Sequence, residues 1–143
     1  MQVTEDQKRQ LLATARDFAQ RAYVPYTHFP VGAAVLVEDG VIVGGVNIEN
    51  ASYPLGLCGE RSAVVTAASA GHRTVFAVAV SAPKAPLTTP CGACRQVLNE
   101  FKPESGDMLV LLDEGDSWRE TTLATLLPSS FGPRDLERAS GKE

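Results

Sequence analysis

The chain has 143 residues, of which 44% are hydrophobic and 21% charged, as is typical of one globular domain with a substantial core; we place this domain over residues 1–143. Thirteen basic and seventeen acidic residues give a net charge of −4, which argues against a protein that holds a nucleic-acid polymer by its phosphates. The longest apolar runs, at 31–37 and 75–80, are too short to span a bilayer. The N-terminal apolar run is short and lies among charged residues, so we expect neither a signal peptide nor a membrane partner.

Hydrophobic periodicity divides the chain into alternating helices and strands. In chain order, the predicted elements are a helix at 4–22, strands at 31–38 and 41–49, a helix at 58–70, a strand at 74–82, a helix at 91–101, and strands at 108–113 and 118–123. Thr4 and Gln7 form a capping-box pattern at the first helix. Asp39-Gly40 predicts a hairpin turn, and Gly44-Gly45 indicates a bulge or a close backbone approach.

The order of these elements predicts an α/β fold. We expect a three-layer α/β/α sandwich with one mixed five-stranded sheet and right-handed crossovers. The last two strands are joined by the short link 114–117, so they should be antiparallel. The charged tail at about 134–143 either frays or forms a short terminal helix.

All three cysteines belong to two short motifs, each of which opens a predicted helix. The motifs are Cys58-Gly59-Glu60 and Pro90-Cys91-Gly92-Ala93-Cys94. Cysteines three apart share one helix face, and a helix start favours the thiolates that zinc requires. Three sulfur ligands leave the fourth position of a tetrahedral zinc open, which is typical of a catalytic metal. Glu60 is then placed to handle the protons of a metal-activated water.

The charge of such a site calls for a nearby cation. Three thiolates overcompensate Zn²⁺ and oppose ionisation of its water. Arg61 is a candidate counter-charge that hydrogen-bonds ligand sulfurs. Arg95 either shares this task or faces solvent.

Two other interpretations of the cysteines stay open at this point. A Cys-x-x-Cys pair also occurs in redox proteins, but a redox pair leaves Cys58 and Glu60 without a role. A structural zinc site needs a fourth ligand, for which only His28 and His72 are spare. An odd number of cysteines excludes a complete disulfide framework and favours a reducing compartment, so we expect a cytoplasmic protein.

The combination of Cys-x-Glu with Pro-Cys-x-x-Cys is the known signature of zinc-dependent deaminases. The chain resembles the small, homotetrameric, three-cysteine type of the cytidine and deoxycytidylate deaminase family. The resemblance extends to three more segments, at 26–34, 47–53 and 126–133. Gly59 is a departure, because the family usually has alanine there.

This resemblance implies one Zn²⁺ per chain, held by Cys58, Cys91 and Cys94. It implies hydrolytic deamination of cytidine and deoxycytidine to uridine and deoxyuridine plus ammonia, as part of pyrimidine salvage. By the same resemblance, hydroxide on the metal is expected to attack C4 of the base while Glu60 shuttles the protons. It further implies a homotetramer with shared active sites, and a nucleoside rather than a nucleic-acid polymer as substrate.

The substrate contacts begin with Asn47 and Glu49. Two residues apart on a strand, they point the same way, and an amide beside a carboxylate can grip a sugar hydroxyl from both donor and acceptor sides. An isolated pair of this kind is more often an exposed polar face. By resemblance the two hold the ribose, with Glu49 accepting from the 3′-hydroxyl. Phe29, otherwise an ordinary core residue, by resemblance packs on the pyrimidine ring.

Five further contacts rest on the resemblance alone. The Gly59 N–H and the Thr89 carbonyl are placed at O2 and the amino group of the base. Ala51, Tyr53 and Phe131 are placed at the nucleoside of a neighbouring subunit.

Three alternatives keep part of this chemistry. A blasticidin-type deaminase would share the metal motif and differ in its substrate. A zinc-stabilised binding module would have four protein ligands and no role for Glu60. A polynucleotide deaminase is disfavoured by the net acidity of the chain.

Overall fold

The structure is a computed structural model and describes residues 2–141. In chain order its elements are α1 Glu5–Ala19, β1 Gly32–Val37, β2 Ile42–Val46, α2 Gly59–Ser69, β3 Val75–Ser81, α3 Gly92–Glu100, β4 Leu109–Asp113, β5 Trp118–Thr122, α4 Leu123–Leu126 and α5 Pro133–Ala139. One five-stranded sheet has the order β2-β1-β3-β4-β5. The β3–β4 pair is parallel, whereas the other three pairs are antiparallel, which confirms the mixed sheet and the antiparallel last pair.

Helices cover both faces of the sheet, as the predicted three-layer arrangement requires. Alternate strand residues point to opposite faces, so the central strands supply two separate cores. On one face, α1 buries Leu11, Leu12 and Ala15 against Leu36 and Leu111. The other core joins side chains of α2, α3 and α4 to the strands; its larger buried members include Val35, Val64, Val78, Leu98, Val110 and Leu123. Complete burial of each such side chain contributes about 1.5–3 kcal/mol.

Local sequence signals form the first helix and the first hairpin. Thr4 Oγ1 accepts a hydrogen bond from Gln7 N at 3.1 Å, and Gln7 Oε1 accepts one from Thr4 N at 3.0 Å. This confirms the capping box. The hairpin turn is a short 3₁₀ segment in which Asp39 and Gly40 have φ of 63° and 72°. Asparagine, aspartate and glycine tolerate this left-handed region best, which explains the Asp-Gly pair.

The glycine pair in β2 sets the distance between the sheet and the helices. A Cβ at Gly45 would overlap the backbone of Ala63 in α2, and a Cβ at Gly44 would overlap the ring of Phe18 in α1. The β1–β2 register is continuous, so the close-approach interpretation is confirmed and the bulge is wrong. Without a Cβ at position 45, α2 lies directly on the sheet.

The structure corrects several boundaries. β2 ends at Val46, three residues earlier than predicted, because Ile48 turns away to pair with Tyr23 and Leu57. The short helix α4 was not predicted. Residues 133–139 of the tail form α5, where Gly132 N donates to Asp135 Oδ2 at 2.8 Å, so the terminal-helix alternative is confirmed there. Residues 142–143 lie outside the described residues.

No helix within residues 2–141 is both long enough and apolar enough to cross a bilayer.

Candidate metal centre and substrate site

The starts of α2 and α3 bring the three cysteines together, as predicted. Cys58 and Cys91 are the N-cap residues of these helices, and Cys94 lies in the first turn of α3. The sulfur of Cys91 is 4.0 Å from that of Cys58 and 3.4 Å from that of Cys94. Zn–S bonds of about 2.3 Å in a tetrahedral site place sulfurs about 3.8 Å apart. The three thiols therefore fit one zinc ion per chain.

The same cluster excludes a four-ligand protein site among the described residues. All three sulfurs lie within 4.8 Å of one another, and no fourth histidine, cysteine or carboxylate of residues 2–141 joins them. His72 instead lies 3.5 Å from Glu38, and His28 contributes its carbonyl to Lys84. The fourth position of a bound metal would be left open, as in catalytic zinc sites.

Two of the three thiols have pKa shifts in opposite directions. The pKa of Cys58 is lowered to about 6, first because Cys94 donates its S–H to this sulfur, and also because Cys91 and the Arg61 charge stabilise the thiolate. The pKa of Cys94 is raised, first by the same S–H bond to Cys58 and then by its burial and the nearby Glu60 carboxylate. A doubly charged cation bound between these sulfurs would displace the thiol protons and stabilise the thiolates.

Glu60 is a buried carboxyl beside the thiols. It lies in the first turn of α2 and is 4% exposed. Burial raises its pKa to about 7, and the negative charge of Cys58 adds to the effect. A carboxyl that changes protonation state near neutrality is suited to accept a proton and return it.

The two arginines next to the cysteine motifs have different surroundings. Arg61 lies close enough to Cys58 for its charge and hydrogen bonding to lower the pKa of that thiol. Arg95 instead joins the loop before α3 to the end of α4. Its Nε donates to Pro90 O at 2.7 Å, Nη1 to Leu126 O at 2.7 Å and Nη2 to Thr89 Oγ1 at 3.1 Å. From the sequence, Arg95 was expected to share the charge of the thiols or to face solvent, and its hold on two backbone carbonyls was not predicted.

A first prediction follows from this difference. Arg61→Ala should lower kcat about tenfold, the lower end for loss of a residue that supports metal ligands, whereas Arg61→Lys should retain more activity because it keeps the charge. Arg95→Ala should act mainly on thermal stability, since it frees two backbone carbonyls. Steady-state kinetics with zinc analysis and thermal melts would measure both. Equal, negligible effects on kcat would remove the charge role of Arg61.

Asn47 and Glu49 do not lie on a strand, because β2 ends before them. Both side chains instead hold the loop at residues 26–31, which we call the Phe29 loop. Asn47 Nδ2 donates to Phe29 O at 2.8 Å, and its Oδ1 accepts from Val31 N at 2.9 Å. Glu49 accepts from Tyr26 N at 3.0 Å, from Thr27 N at 3.2 Å and from the Thr27 hydroxyl. The pair thus shapes the loop that carries the predicted stacking residue.

Gly59 joins this loop to the metal centre. A Cβ at Gly59 would lie 2.9 Å from Val31 O, closer than real Cβ atoms approach. The Phe29 loop therefore lies against the start of α2, next to Glu60. This close contact favours glycine at position 59 of this chain.

A cavity of about 300 Å³ opens between the Phe29 loop and the 3₁₀ turn at Tyr53–Leu55. It is lined by Tyr26, Thr27, Glu49, Asn50, Tyr53 and Gly56. Of the predicted substrate contacts, Glu49 and Tyr53 are therefore in one cavity. Ala51 and Thr89 are exposed on neighbouring loops. Phe131 follows α4 on the C-terminal segment and is 59% exposed.

Several residues that organise the site were not found from the sequence. Thr27 and Lys84 hold the Phe29 loop, the latter through a 2.7 Å bond from Nζ to His28 O. His28 has φ of 57°, an uncommon value for a non-glycine residue. Thr27 and Lys84 are far in sequence from their partners Glu49 and His28, so no local pattern indicates these bonds. Only the order of the motifs could have suggested that the loops meet.

An α/β/α sandwich with three thiols and a buried glutamate at two helix starts defines the class of zinc-dependent deaminases. The sequence profile of the cytidine and deoxycytidylate deaminase zinc-binding region matches residues 5–108. The chain belongs to this family.

Curated relatives and solved structures agree. The chain is 48% identical over 132 residues to a cytidine deaminase of Sporosarcina psychrophila, covering 91% of this chain and 95% of the relative. It is 43% identical over 129 residues to a cytidine deaminase of Halalkalibacterium halodurans, covering 90% and 97%. The crystal structure of cytidine deaminase from Burkholderia pseudomallei is similar with a TM-score of 0.79 and 39% identity, covering 86% of this chain and 98% of that one.

Proposed function

We propose that the protein catalyses zinc-dependent hydrolytic deamination of cytidine and deoxycytidine to uridine and deoxyuridine, with release of ammonia. The observation that carries this proposal is the buried Glu60 beside three thiols that lie at zinc-binding distances. Relatives with almost full coverage are named cytidine deaminases, which supports the choice of substrate.

The chain's own residues account for the proton traffic. Cys58, Cys91 and Cys94 would hold the zinc, which when bound supplies the Lewis acidity that activates water. Glu60 accepts one proton from the attacking water and passes it to N3 of the base, which makes C4 more electrophilic as the water oxygen bonds to it. Glu60 then accepts the second proton of that oxygen and delivers it to the amino group. The C4–N4 bond breaks, the C4 carbonyl forms, and ammonia leaves. Burial keeps bulk water from competing for this carboxylate.

The nucleoside is placed by the loops around the metal centre. We assign the Phe29 ring to one face of the pyrimidine, and the Gly59 N–H and Thr89 carbonyl to O2 and the amino group. Asn47 and Glu49 hold the ribose. Support comes from Glu49, which lines the 300 Å³ cavity and whose carboxylate has acceptor capacity beyond its three hydrogen bonds to Tyr26 and Thr27.

We place this site in a homotetramer in which Ala51, Tyr53 and Phe131 reach a neighbour's nucleoside. Tyr53 is 74% exposed, and Leu55 and Phe131 are also largely exposed. Large apolar side chains exposed to this degree suit an interface between subunits. We assign the reaction to pyrimidine salvage in the cytoplasm, where three free thiols stay reduced, and to one catalytic domain over residues 1–143.

An ultraviolet assay with three nucleosides tests this function. Cytidine and deoxycytidine should be converted, whereas 3′-phosphorylated cytidine should be converted at least about 100-fold more slowly, because its phosphate would be placed against the Glu49 carboxylate. Absence of turnover on both unphosphorylated substrates would overturn the function. Comparable turnover of the 3′-phosphate would overturn only the role of Glu49. Blasticidin S in the same assay tests the alternative: turnover of this antibiotic without turnover of cytidine would indicate a deaminase of nucleoside antibiotics.

A further inference from the structure

The C-terminal segment between α4 and α5 is held by α3. Residues 127–132 form no helix or strand, yet the carbonyl of Phe131 receives two hydrogen bonds. Gln96 Nε2 donates to it at 2.9 Å and Asn99 Nδ2 at 3.0 Å. A carbonyl oxygen has two lone pairs, so both acceptor positions are filled.

Asn99 is built into this contact. Its side chain is 4% exposed, and its Oδ1 accepts a hydrogen bond from Ser130 Oγ at 3.5 Å. A Cβ at Gly132 would lie 2.8 Å from Asn99 Nδ2, so the glycine leaves the space that the amide fills. A buried amide with its donor and acceptor both engaged holds one backbone conformation strongly.

The two hydrogen bonds from Gln96 and Asn99, which we call the clamp, hold the backbone of Phe131 against α3 and leave its ring on the surface. The carbonyl faces α3, while the side chain is 59% exposed. Ser129, two residues earlier, has φ of 54°, which bends the segment into this course. Because α3 is capped by Cys91 and carries Cys94, the backbone of Phe131 is held at a fixed position relative to the thiols.

We propose that Gln96 and Asn99 are positioning residues that aim Phe131 at the substrate of a neighbouring subunit. This rests on the proposed function, in which Phe131 contacts that nucleoside. The two amides touch no substrate; they act through the carbonyl and the ring of one residue. Without them the ring samples many orientations, and ordering it on binding weakens the apparent affinity for cytidine.

The test is a double-mutant cycle of Asn99→Ala with Phe131→Ala, measured on the zinc-loaded oligomer. Asn99→Ala should raise KM for cytidine about fivefold, as expected for loss of the hydrogen bond to the Phe131 carbonyl, with kcat and zinc content unchanged. In the Phe131→Ala background, Asn99→Ala should raise KM less than about 1.5-fold further, because the ring that Asn99 positions is absent. Gln96→Ala, on the exposed side of the clamp, should raise KM in the same way. Gln10→Ala removes an amide from α1 as a control and should leave KM unchanged.

Each outcome decides one point. Multiplicative effects on KM in the double variant would show a general structural role and overturn the proposal. A raised KM in Phe131→Ala with normal values in both Asn99→Ala and Gln96→Ala would overturn the clamp alone. An unchanged KM in Phe131→Ala would overturn the neighbour contact, and the positioning role with it. Hydrogen exchange at 127–132 should also increase in Asn99→Ala; unchanged exchange there would contradict the clamp whatever the kinetics show.

Discussion

Replacing Glu60 by glutamine should lower kcat on cytidine by roughly 10²–10⁴-fold, the usual contribution of a general acid–base group. Glutamine has almost the same shape, so α2 and the three thiols should keep their positions and one zinc per chain should still bind. The loss arises because an amide cannot take a proton from water and return it to the base. Single-turnover kinetics with zinc analysis on the same preparation would measure both.

The matched control is Glu104→Gln, which removes the same charge from an exposed position and should leave kcat unchanged. Thermal melts of both variants separate a catalytic loss from a folding defect. Glu60→Gln should be at least as stable as the parent, because a neutral side chain replaces a buried carboxyl. A variant that binds zinc and keeps more than about a tenth of the parental kcat would contradict the general acid–base assignment.

Cys91→Ser should lose zinc, activity and stability together. Removing one of three sulfur ligands leaves too few donors for tight binding, and a hydroxyl is a poor substitute for a thiolate. Metal that binds only the folded chain stabilises it by about 4 kcal/mol at a thousandfold excess over Kd. For a chain of this size, the loss should lower Tm by roughly 10–15 °C.

Chelation provides the internal comparison. Wild-type protein stripped of zinc should melt near the temperature of Cys91→Ser, and adding chelator to the variant should change nothing. Cys91 is the exposed cysteine of the three, so its replacement costs little packing and the shift reports the metal. The zinc assignment would be wrong if Cys91→Ser bound one zinc per chain, or if chelator left the wild-type Tm unchanged.

Local sequence patterns were sufficient for the order of the five strands and of the three longest helices. The α1 capping box and the Asp-Gly hairpin depend on residues within four positions of each other, so the pattern and its cause coincide. The cysteine cluster was also predictable, since two motifs with known metal spacing each open a helix. Element ends were less predictable. β2 stops at Val46 because a distant partner, Leu57, pairs with Ile48.

The substrate site shows more clearly what local sequence patterns do not predict. Asn47 and Glu49 were expected to share one face of a strand, but each bonds the Phe29 loop about twenty positions earlier. Arg95 was assigned to the metal or to solvent, whereas it joins Pro90 to Leu126. Such contacts depend on how loops from separate elements meet, which no local periodicity encodes.

The sequence by itself determined the chemistry: three thiols for zinc, a glutamate two residues from one of them, and an alternation of helices and strands that places both motifs at helix starts. These are short-range properties, set by residue type and spacing. Only the tertiary structure decided the surroundings of that chemistry. Packing buries Glu60, places the Phe29 loop against Gly59, and lets Gln96 and Asn99 hold the Phe131 carbonyl. The physical reason is that burial and long-range hydrogen bonds exist only once the sheet has brought distant segments together.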